Sequence, residues 1–163
     1  MERLVAIALT CYVANAMPVL VAKIIKHRHP IDFGRYLSNG HRVLGDGKSI
    51  EGFISGVIAG VCVGYLAELK GILMITEAFV LSLGAMTGDV MGSFIKRRIG
   101  LKSGDPAPLL DQLCFILTAL AFYQVVFGGV DSFTFIVLLV ITPPLHLATN
   151  YLAFKLRLKD KPW

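Results

Sequence analysis

Acidic and basic side chains gather where two apolar segments of the chain meet. Three of them fall with Ser93 on one face of a predicted helix, at spacings of i, i+4, i+7 and i+8: Asp89, Ser93, Lys96 and Arg97. Asp111 begins the next apolar segment after a short connection, so the two segments should be antiparallel neighbours and the two acids should meet. Mg²⁺ is usually held by one or two carboxylates together with substrate phosphates and water, and Lys or Arg can neutralise phosphate oxygens. The pattern therefore predicts a site for a metal-bound polyphosphate.

The alternative interpretation of this cluster is a set of ion pairs at the membrane surface. Asp89 and Asp111 would then pair with Arg97, Arg98 or Lys102, and the basic residues would only follow the inside-positive bias of membrane proteins. That bias explains Lys and Arg, but it does not explain an acid one to two turns inside an apolar segment. We therefore favour the metal site and keep the surface pairs as the alternative.

A second polar cluster occupies residues 44–52, LGDGKSIEG. It resembles the end of a phosphate-binding P-loop, but Arg42 stands where that motif needs glycine and no strand precedes it. Gly45 and Gly47 would still let backbone N–H groups approach an anion, Lys48 adds charge, and Ser49 can cap the following helix. The segment is either part of a phosphate site or a surface turn with a helix cap.

The composition that surrounds these clusters is typical of a membrane protein. The 163 residues are 55% hydrophobic and 17% charged, with a mean hydropathy of +0.69. A spanning helix needs about 20 mostly apolar residues, and five stretches qualify, at residues 4–25, 50–69, 72–95, 109–127 and 133–154. We therefore predict an all-α integral membrane protein with five transmembrane helices in one catalytic domain, and with polar loops at 26–49 and 96–108.

The positions of Lys and Arg predict how the chain is oriented. Segments 23–48, 96–102 and 155–161 hold fourteen of the sixteen basic residues, whereas the opposite side has only Arg3 and Lys70. The basic side should face the cytoplasm. We therefore expect the N-terminus outside, the C-terminus inside, and both polar clusters at the cytoplasmic surface.

Small and polar residues inside the spans have less specific interpretations. Glycines recur every four residues through the second span, at positions 52, 56, 60 and 64, which favours close packing inside the molecule or a homodimer seam over a catalytic role. His146 and Asn150 are spaced i, i+4 in the fifth span, where a hydrogen bond to a neighbouring helix is favoured; the alternative places Asn150 in the nucleotide site. Glu77 lies in the outer half of the third span, and the pattern assigns it no role.

Motifs at six places in the chain carry a resemblance to a known enzyme family. They are SFIKRRIGLK at 93–102, ANAMP at 14–18, PIDFG at 30–34, LGDGKS at 44–49, TGDVMGSF at 87–94 and TPPLHLATN at 142–150. The first fits the S-x-x-K-R-x₄-K core of the signature of the membrane CTP-dependent cytidylyltransferases, the CDP-diacylglycerol synthase family, with Asp111 in the position of the aspartate that follows. Together the motifs are similar to its small archaeal branch, the CDP-archaeol synthases.

The resemblance implies an activity and a set of site residues. The activity is transfer of CMP from CTP to 2,3-di-O-geranylgeranylglyceryl phosphate, which gives CDP-archaeol and pyrophosphate. Mg²⁺ would bind Asp89 and Asp111, and Lys96, Arg97 and Lys102 would stabilise the leaving pyrophosphate. The other expected nucleotide-binding residues are Gly45, Asp46, Gly47, Lys48, Ser93, Arg98 and Asn150.

Two other functions explain parts of the same pattern. A membrane CTP- or ATP-dependent lipid or prenol kinase would use the same metal and nucleotide chemistry, but it would release a nucleoside diphosphate in place of pyrophosphate. A small transporter or channel subunit would place Asp89 and Glu77 along a cation path, although the outer half of the third span is otherwise apolar. We favour the cytidylyltransferase, in the cell membrane and with its active site on the cytoplasmic side.

Overall fold

A bundle of five helices forms the protein. The computed structural model describes residues 1–37, 40, 42–45 and 47–162. The helices in that part of the chain are α1 (Glu2–Ile24), α2 (Ile50–Glu68), α3 (Ile75–Arg98), α4 (Leu110–Phe127) and α5 (Ser132–Lys155). All five are long and apolar enough to cross a membrane, so the predicted all-α fold with five spans is confirmed. The candidate residue Asp46 lies outside the described residues.

Helix α3 is shifted along the sequence relative to the predicted span. It begins at Ile75 instead of 72 and ends at Arg98 instead of 95. The apolar pattern stops at 95, but basic side chains are favourable in the last turn of a helix because they face its negative dipole end. Lys96 and Arg97 therefore stand on α3, as the predicted helical face required, and Arg98 ends the same helix.

Helix α3 is also the central element of the bundle. It packs against α4, α2 and α1. In its most apolar stretch, 50% of the residues are buried, compared with 17% for α5. The largest fully buried apolar side chains come from four of the helices: Ile7, Leu81, Met86, Ile116 and Leu138. The polar residues Glu77, Ser82 and Ser93 of α3 are therefore buried against other parts of the protein, although α3 is the least apolar span.

The glycines of α2 allow close contacts within the molecule. Gly60 lies between Thr10 of α1 and Ser82 of α3, and a Cβ atom added there would stand 3.0 Å from the Thr10 carbonyl oxygen. Gly56 and Gly64 are also buried against α1 and α3. The sequence left internal packing and a homodimer seam open for these glycines. The structure shows internal packing, because α1 and α3 cover Gly56, Gly60 and Gly64.

An ionic cluster ties three helices together at the end of the bundle opposite the basic residues, which we call the outer end. The Glu77 carboxylate of α3 accepts hydrogen bonds from the Arg3 guanidinium of α1 and from the Tyr123 hydroxyl of α4. It also accepts one from the Met74 N–H, 2.8 Å away, at the start of α3. We call Arg3, Glu77 and Tyr123 the outer cluster. Glu77 is only 2% exposed, and its contacts give it a structural role.

Candidate active site

The loop between α1 and α2 folds around a buried acid, Asp32. Its carboxylate accepts hydrogen bonds from the Arg42 guanidinium at 2.7 Å and from the Leu44 N–H at 3.0 Å. The N–H groups of Gly34 and Gly45 donate to it as well, at 3.1 and 3.4 Å. Burial alone would raise the pKa of Asp32, but these four donors lower it to about 2. Asp32 is thus ionised at neutral pH and organises the loop.

The end of this loop brings Lys48 to α3. The Lys48 carbonyl accepts from the Ile31 N–H at 3.0 Å, and Ser49 caps α2 because its hydroxyl accepts from the Gly52 N–H at 3.2 Å. Between these anchors the Lys48 ammonium donates to the Asp89 carboxylate at 2.6 Å. The helix cap that the turn hypothesis required is present, and the same segment also reaches the predicted metal site.

A second acid and lysine pair at the junction of α3 and α4. The Lys96 ammonium lies 2.9 Å from Asp111 Oδ1 and donates to the Asp105 carbonyl at 3.0 Å. Asp111 Oδ2 accepts from the Ala107 N–H at 2.9 Å. The surface alternative assigned Arg97, Arg98 or Lys102 to the two aspartates. Within the described part of the chain, Asp89 pairs instead with Lys48 and Asp111 with Lys96.

The packing of α3 on α4 brings the two acids to one place. A Cβ atom added to Gly92 would lie 3.4 Å from the Cys114 Cβ and 3.8 Å from the Leu110 carbonyl oxygen. Asp89 is one turn before this contact on α3, and Asp111 directly follows Leu110 on α4. We call Lys48, Asp89, Lys96 and Asp111 the inner site.

Most other predicted site residues on α3 hold the loops around the inner site. The buried Ser93 hydroxyl donates to the Leu44 carbonyl at 3.0 Å. Arg97 is also buried, and its guanidinium donates to the Lys102 carbonyl at 2.9 Å. Arg98 donates to a carbonyl of the α1–α2 loop at 2.9 Å, whereas the Lys102 side chain is exposed. Nucleotide contacts by these four residues stay predictions.

The glycines before Lys48 have different surroundings. Gly45 adopts a φ of +106°, which favours glycine, and an added Cβ atom would stand 3.0 Å from Arg97 Nη1. The Gly45 N–H already donates to Asp32, so it supports the loop. Gly47 is exposed, with open space around it. Of the two N–H groups expected to approach an anion, that of Gly47 is the more accessible one.

Asn150 bonds along its own helix and to the tail of the chain. Its amide lies 3.1 Å from His146 Nδ1, one turn earlier on α5, and its carbonyl accepts from Lys159 Nζ at 3.1 Å. The favoured prediction of a bond to a neighbouring helix was therefore wrong. The physical reason is that α5 packs mainly on α4 and meets α1 only briefly, so the partners lie on α5 and the tail.

Two residues near the site were missed by the sequence analysis. Asp32 appeared only inside a family motif, and Lys159 only as one of four basic residues in the tail. Neither residue has a spacing that signals its role, because each meets its partners through the path of a loop and not through helical periodicity. The one hint for Asp32 was an acid among apolar residues, directly before Phe33 and Gly34.

Comparisons with known proteins identify the family. Residues 3–163 match the family model described as CarS-like, CDP-archaeol synthase. A CDP-archaeol synthase of Thermococcus onnurineus is 48% identical over 162 residues, 95% of this chain and 92% of that one. A CDP-archaeol synthase of Pyrobaculum islandicum is 47% identical over 153 residues, with 93% and 92% covered.

A solved structure gives the same result for the fold. It belongs to an intramembrane enzyme for archaeal membrane lipids biosynthesis, with a TM-score of 0.81 and 40% identity, and the match covers 90% of this chain and 91% of that one. The prediction of a cytidylyltransferase is confirmed over those of a lipid kinase and a transporter subunit. The chain therefore belongs to the CDP-archaeol synthase family, and it is an integral membrane enzyme that uses CTP in archaeal lipid biosynthesis.

Proposed function

We propose that the inner site binds the triphosphate of CTP with Mg²⁺ and transfers CMP to 2,3-di-O-geranylgeranylglyceryl phosphate, releasing pyrophosphate. One observation carries the proposal: three separate segments bring two acids and two lysines together at the basic end of the bundle. Lys48 comes from the α1–α2 loop, Asp89 and Lys96 from α3, and Asp111 from α4. Two carboxylates can bind the metal ion, and two ammonium groups can bind the triphosphate, so the site matches both parts of a nucleotide with Mg²⁺.

The donor set of the inner site fits Mg²⁺ held jointly with a nucleotide. The described residues contain no group of three or more His, Cys, Asp or Glu side chains that could hold a metal ion. Proteins usually bind Mg²⁺ through one or two carboxylates, and substrate phosphates and water complete its coordination shell. Asp89 and Asp111 would supply those carboxylates. When bound, the ion would offset the negative charge of the phosphates and polarise their oxygens.

The two lysines provide the complementary half of the site. Each now pairs with one carboxylate, Lys48 with Asp89 at 2.6 Å and Lys96 with Asp111 at 2.9 Å. Once the carboxylates face a metal ion, both ammonium groups are available to phosphate oxygens within a short side-chain movement. The exposed Lys102 and the N–H of Gly47 would extend this phosphate surface, and Arg97 would keep the loops in place behind it.

The reaction itself needs no dedicated base. The lipid phosphate carries between one and two negative charges near neutral pH, with the second pKa of phosphoserine, about 6, as a guide. One of its oxygens attacks the α-phosphorus of CTP, a new P–O bond forms, and the bond to the bridging oxygen of the β-phosphate breaks. Pyrophosphate leaves with that electron pair. The protein contributes orientation and charge compensation, as is general in phosphoryl transfer.

The distribution of basic residues supports a cytoplasmic position for this chemistry. Fourteen of the sixteen Lys and Arg residues lie in the segments at the inner-site end of the bundle, and the inside-positive bias assigns such segments to the cytoplasm. CTP is a cytoplasmic metabolite, so this orientation also brings the site to its nucleotide. The outer end has only Arg3 and Lys70, and Arg3 belongs to the outer cluster.

The proposal is tested by identifying the products of the purified enzyme. Protein in detergent is incubated with Mg²⁺, the ether lipid phosphate and either CTP or ATP labelled in the α-phosphate. We expect label in a liponucleotide with CTP only, an equal amount of pyrophosphate, and no product in the presence of EDTA. Formation of CDP, or a lipid product with ATP, would refute the proposal.

A further inference from the structure

We propose that Lys159, in the tail after α5, positions the phosphate of the lipid substrate where the inner site meets an apolar cavity. This inference rests on the proposed function, because it assigns one more residue to the same reaction. It concerns the substrate that comes from the bilayer and not CTP. The tail, the contacts of Lys159 and the cavity are three separate observations that support it.

The tail reverses direction directly after α5. Arg157 adopts a φ of 57°, and the N–H groups of Leu158 and Lys159 both donate back to the Ala153 carbonyl, at 2.8 and 3.3 Å. The turn therefore brings Lys159 back against the last turns of α5 and does not send it away into solvent. A left-handed turn at a non-glycine residue is costly, and these hydrogen bonds offset that cost.

The rest of the tail is held across the basic end of the bundle. Asp160 lies 3.9 Å from the Lys23 ammonium at the end of α1, and the Lys161 ammonium lies 3.5 Å from the Gly104 carbonyl in the α3–α4 connection. The tail thus touches the end of α1 and the connection between α3 and α4, so it stays at the basic end of the bundle.

Lys159 lies against the last turns of α5 and bonds to Asn150 there. Its ammonium donates to Asn150 at 3.1 Å. Burial lowers the pKa of Lys159, the carboxylates of Asp111 and Asp89 raise that pKa, and Lys48 and Lys96 lower it further. Asn150 lines a cavity together with Phe115, which is one turn after Asp111 on α4, so the bond to Asn150 holds this ammonium near the inner site.

An apolar cavity opens on the other side of this ammonium. It has a volume of about 200 Å³ and lies between α1, α4 and α5. Its apolar lining includes Tyr12, Val19, Leu20, Phe115, Leu145 and Ala153. His146 and Asn150 give it a polar end, and Leu158 lines it beside Lys159. The cavity is smaller than the roughly 300 Å³ of a complete small-molecule site, so it suits the glycerol end of a lipid whose chains remain in the bilayer.

The chemistry of the lipid substrate matches this junction. Its phosphate must reach the α-phosphorus of CTP while its chains stay in an apolar environment. The lysines of the inner site are needed by the triphosphate, so a separate cation has to compensate the lipid phosphate as it approaches. Lys159 is the charge placed between the cavity and the inner site, and Asn150 orients its ammonium.

The test separates the Michaelis constants of the two substrates. We expect Lys159→Gln to raise the KM for the lipid phosphate about tenfold, the size of one hydrogen bond to a charged group, with the KM for CTP unchanged. Lys159→Arg should restore the lipid KM to within about threefold, because a cation is kept. The matched control is Lys155→Gln, which removes a lysine of α5 that lies over the Tyr151 ring; it should leave both constants unchanged.

A second measurement isolates the phosphate. The dephosphorylated ether lipid should inhibit the wild-type enzyme and Lys159→Gln equally, because it has no charge for Lys159 to meet. The inference is overturned if Lys159→Gln behaves like Lys155→Gln, if the KM for CTP rises in place of the lipid constant, or if kcat alone falls. Failure of the proposed function looks different, since the wild-type enzyme would then make no CDP-lipid.

Discussion

The outer cluster and the inner site are two groups of ionised side chains in one small bundle, and they are built differently. In the outer cluster the Glu77 side chain is 3% exposed and accepts from three donors on three segments. In the inner site the side chains of Asp89 and Asp111 are 25% and 32% exposed. Each of these two acids has one lysine as its ionic partner among the described residues.

This difference separates an acid that holds a fold together from an acid that can exchange partners. A buried carboxylate with several short-range donors is costly to disturb, because each lost partner leaves a desolvated group behind. A partly exposed carboxylate paired with a flexible lysine can release that lysine to a phosphate and accept a metal ion. The outer cluster should therefore matter for stability, and the inner site for turnover.

The largest expected effect is loss of turnover in Asp89→Asn and Asp111→Asn. Each change removes one of the two carboxylates proposed to hold Mg²⁺ with CTP, and we expect kcat/KM to fall about 10²- to 10³-fold. The measurement is incorporation of labelled CMP into lipid. Thermal unfolding in detergent should change little, since neither side chain is fully buried. Near-normal turnover in either variant would contradict the metal assignment.

The matched change in the outer cluster is Glu77→Gln. It keeps the size of the side chain but removes the charge that faces Arg3 and the Tyr123 hydroxyl, so we expect unfolding to become easier by about 1–3 kcal/mol. Turnover of the folded protein should stay within about twofold. Chemical unfolding in mixed micelles gives the first quantity, and the CMP-transfer assay gives the second. A large loss of turnover with unchanged stability would reverse the comparison.

Asp32 sharpens the comparison, because it is a fixed acid that lies near the inner site. Its pKa is lowered from 3.8 to about 2, so its stabilising effect is complete above pH 4 and is lost as the pH falls through 2. A lowering of this size corresponds to about 2 kcal/mol. Pepsin, corrected for its rate on a denatured substrate, should cut the loop at the exposed Phe33 or Tyr36 much faster at pH 1.5 than at pH 4.

The control for this pH effect is Asp32→Asn. With no carboxylate to protonate, its loop should be cut at pH 4 about as fast as at pH 1.5. If the wild-type loop were equally resistant at both pH values, Asp32 would not hold the loop in the way described.

The smallest effect is expected for Lys48→Gln. Lys48 is proposed to move from Asp89 to a phosphate of CTP, so its loss should raise the KM for CTP about tenfold and leave stability unchanged. Lys70→Gln, at the outer end, is the matched control for a lost lysine. A stability loss in Lys48→Gln without a change in KM would instead make Lys48 a fixed partner, like Arg3 in the outer cluster.

Helical periodicity made the spans and the pairing of α3 with α4 predictable. The apolar runs predicted five helices, and the spacing of Asp89, Ser93, Lys96 and Arg97 predicted one face of α3. The short connection to Asp111 made the two acids neighbours. The predicted span ended at 95 and α3 ends at Arg98, because hydropathy marks where a helix leaves the apolar layer and not where its backbone hydrogen bonds stop.

The loops could not be predicted in the same way. Asp32 is fixed by backbone N–H groups 2, 12 and 13 residues away, and no periodic pattern encodes such contacts. Lys159 bonds to Asn150 of α5 because Arg157 turns the tail back. Ser93 and Arg97 lie on the predicted face of α3, but their bonds to loop carbonyls were not predictable from the spacing. Their contacts with a nucleotide stay predictions.

The most direct test is a double-mutant cycle on CTP binding with Asp89→Asn, Asp111→Asn and the double variant, in Mg²⁺ and in EDTA. If the two carboxylates share one ion with the nucleotide, removing either one should remove most of the ion's contribution to the free energy of CTP binding. The effects of the two substitutions should then not add in the double variant. Calorimetry should then show that, in Mg²⁺, the double variant binds CTP about as weakly as each single variant. The affinity of all three variants in Mg²⁺ should be close to that of the wild-type enzyme measured in EDTA. Losses that multiply in the double variant, or equal losses with and without Mg²⁺, would contradict a shared ion.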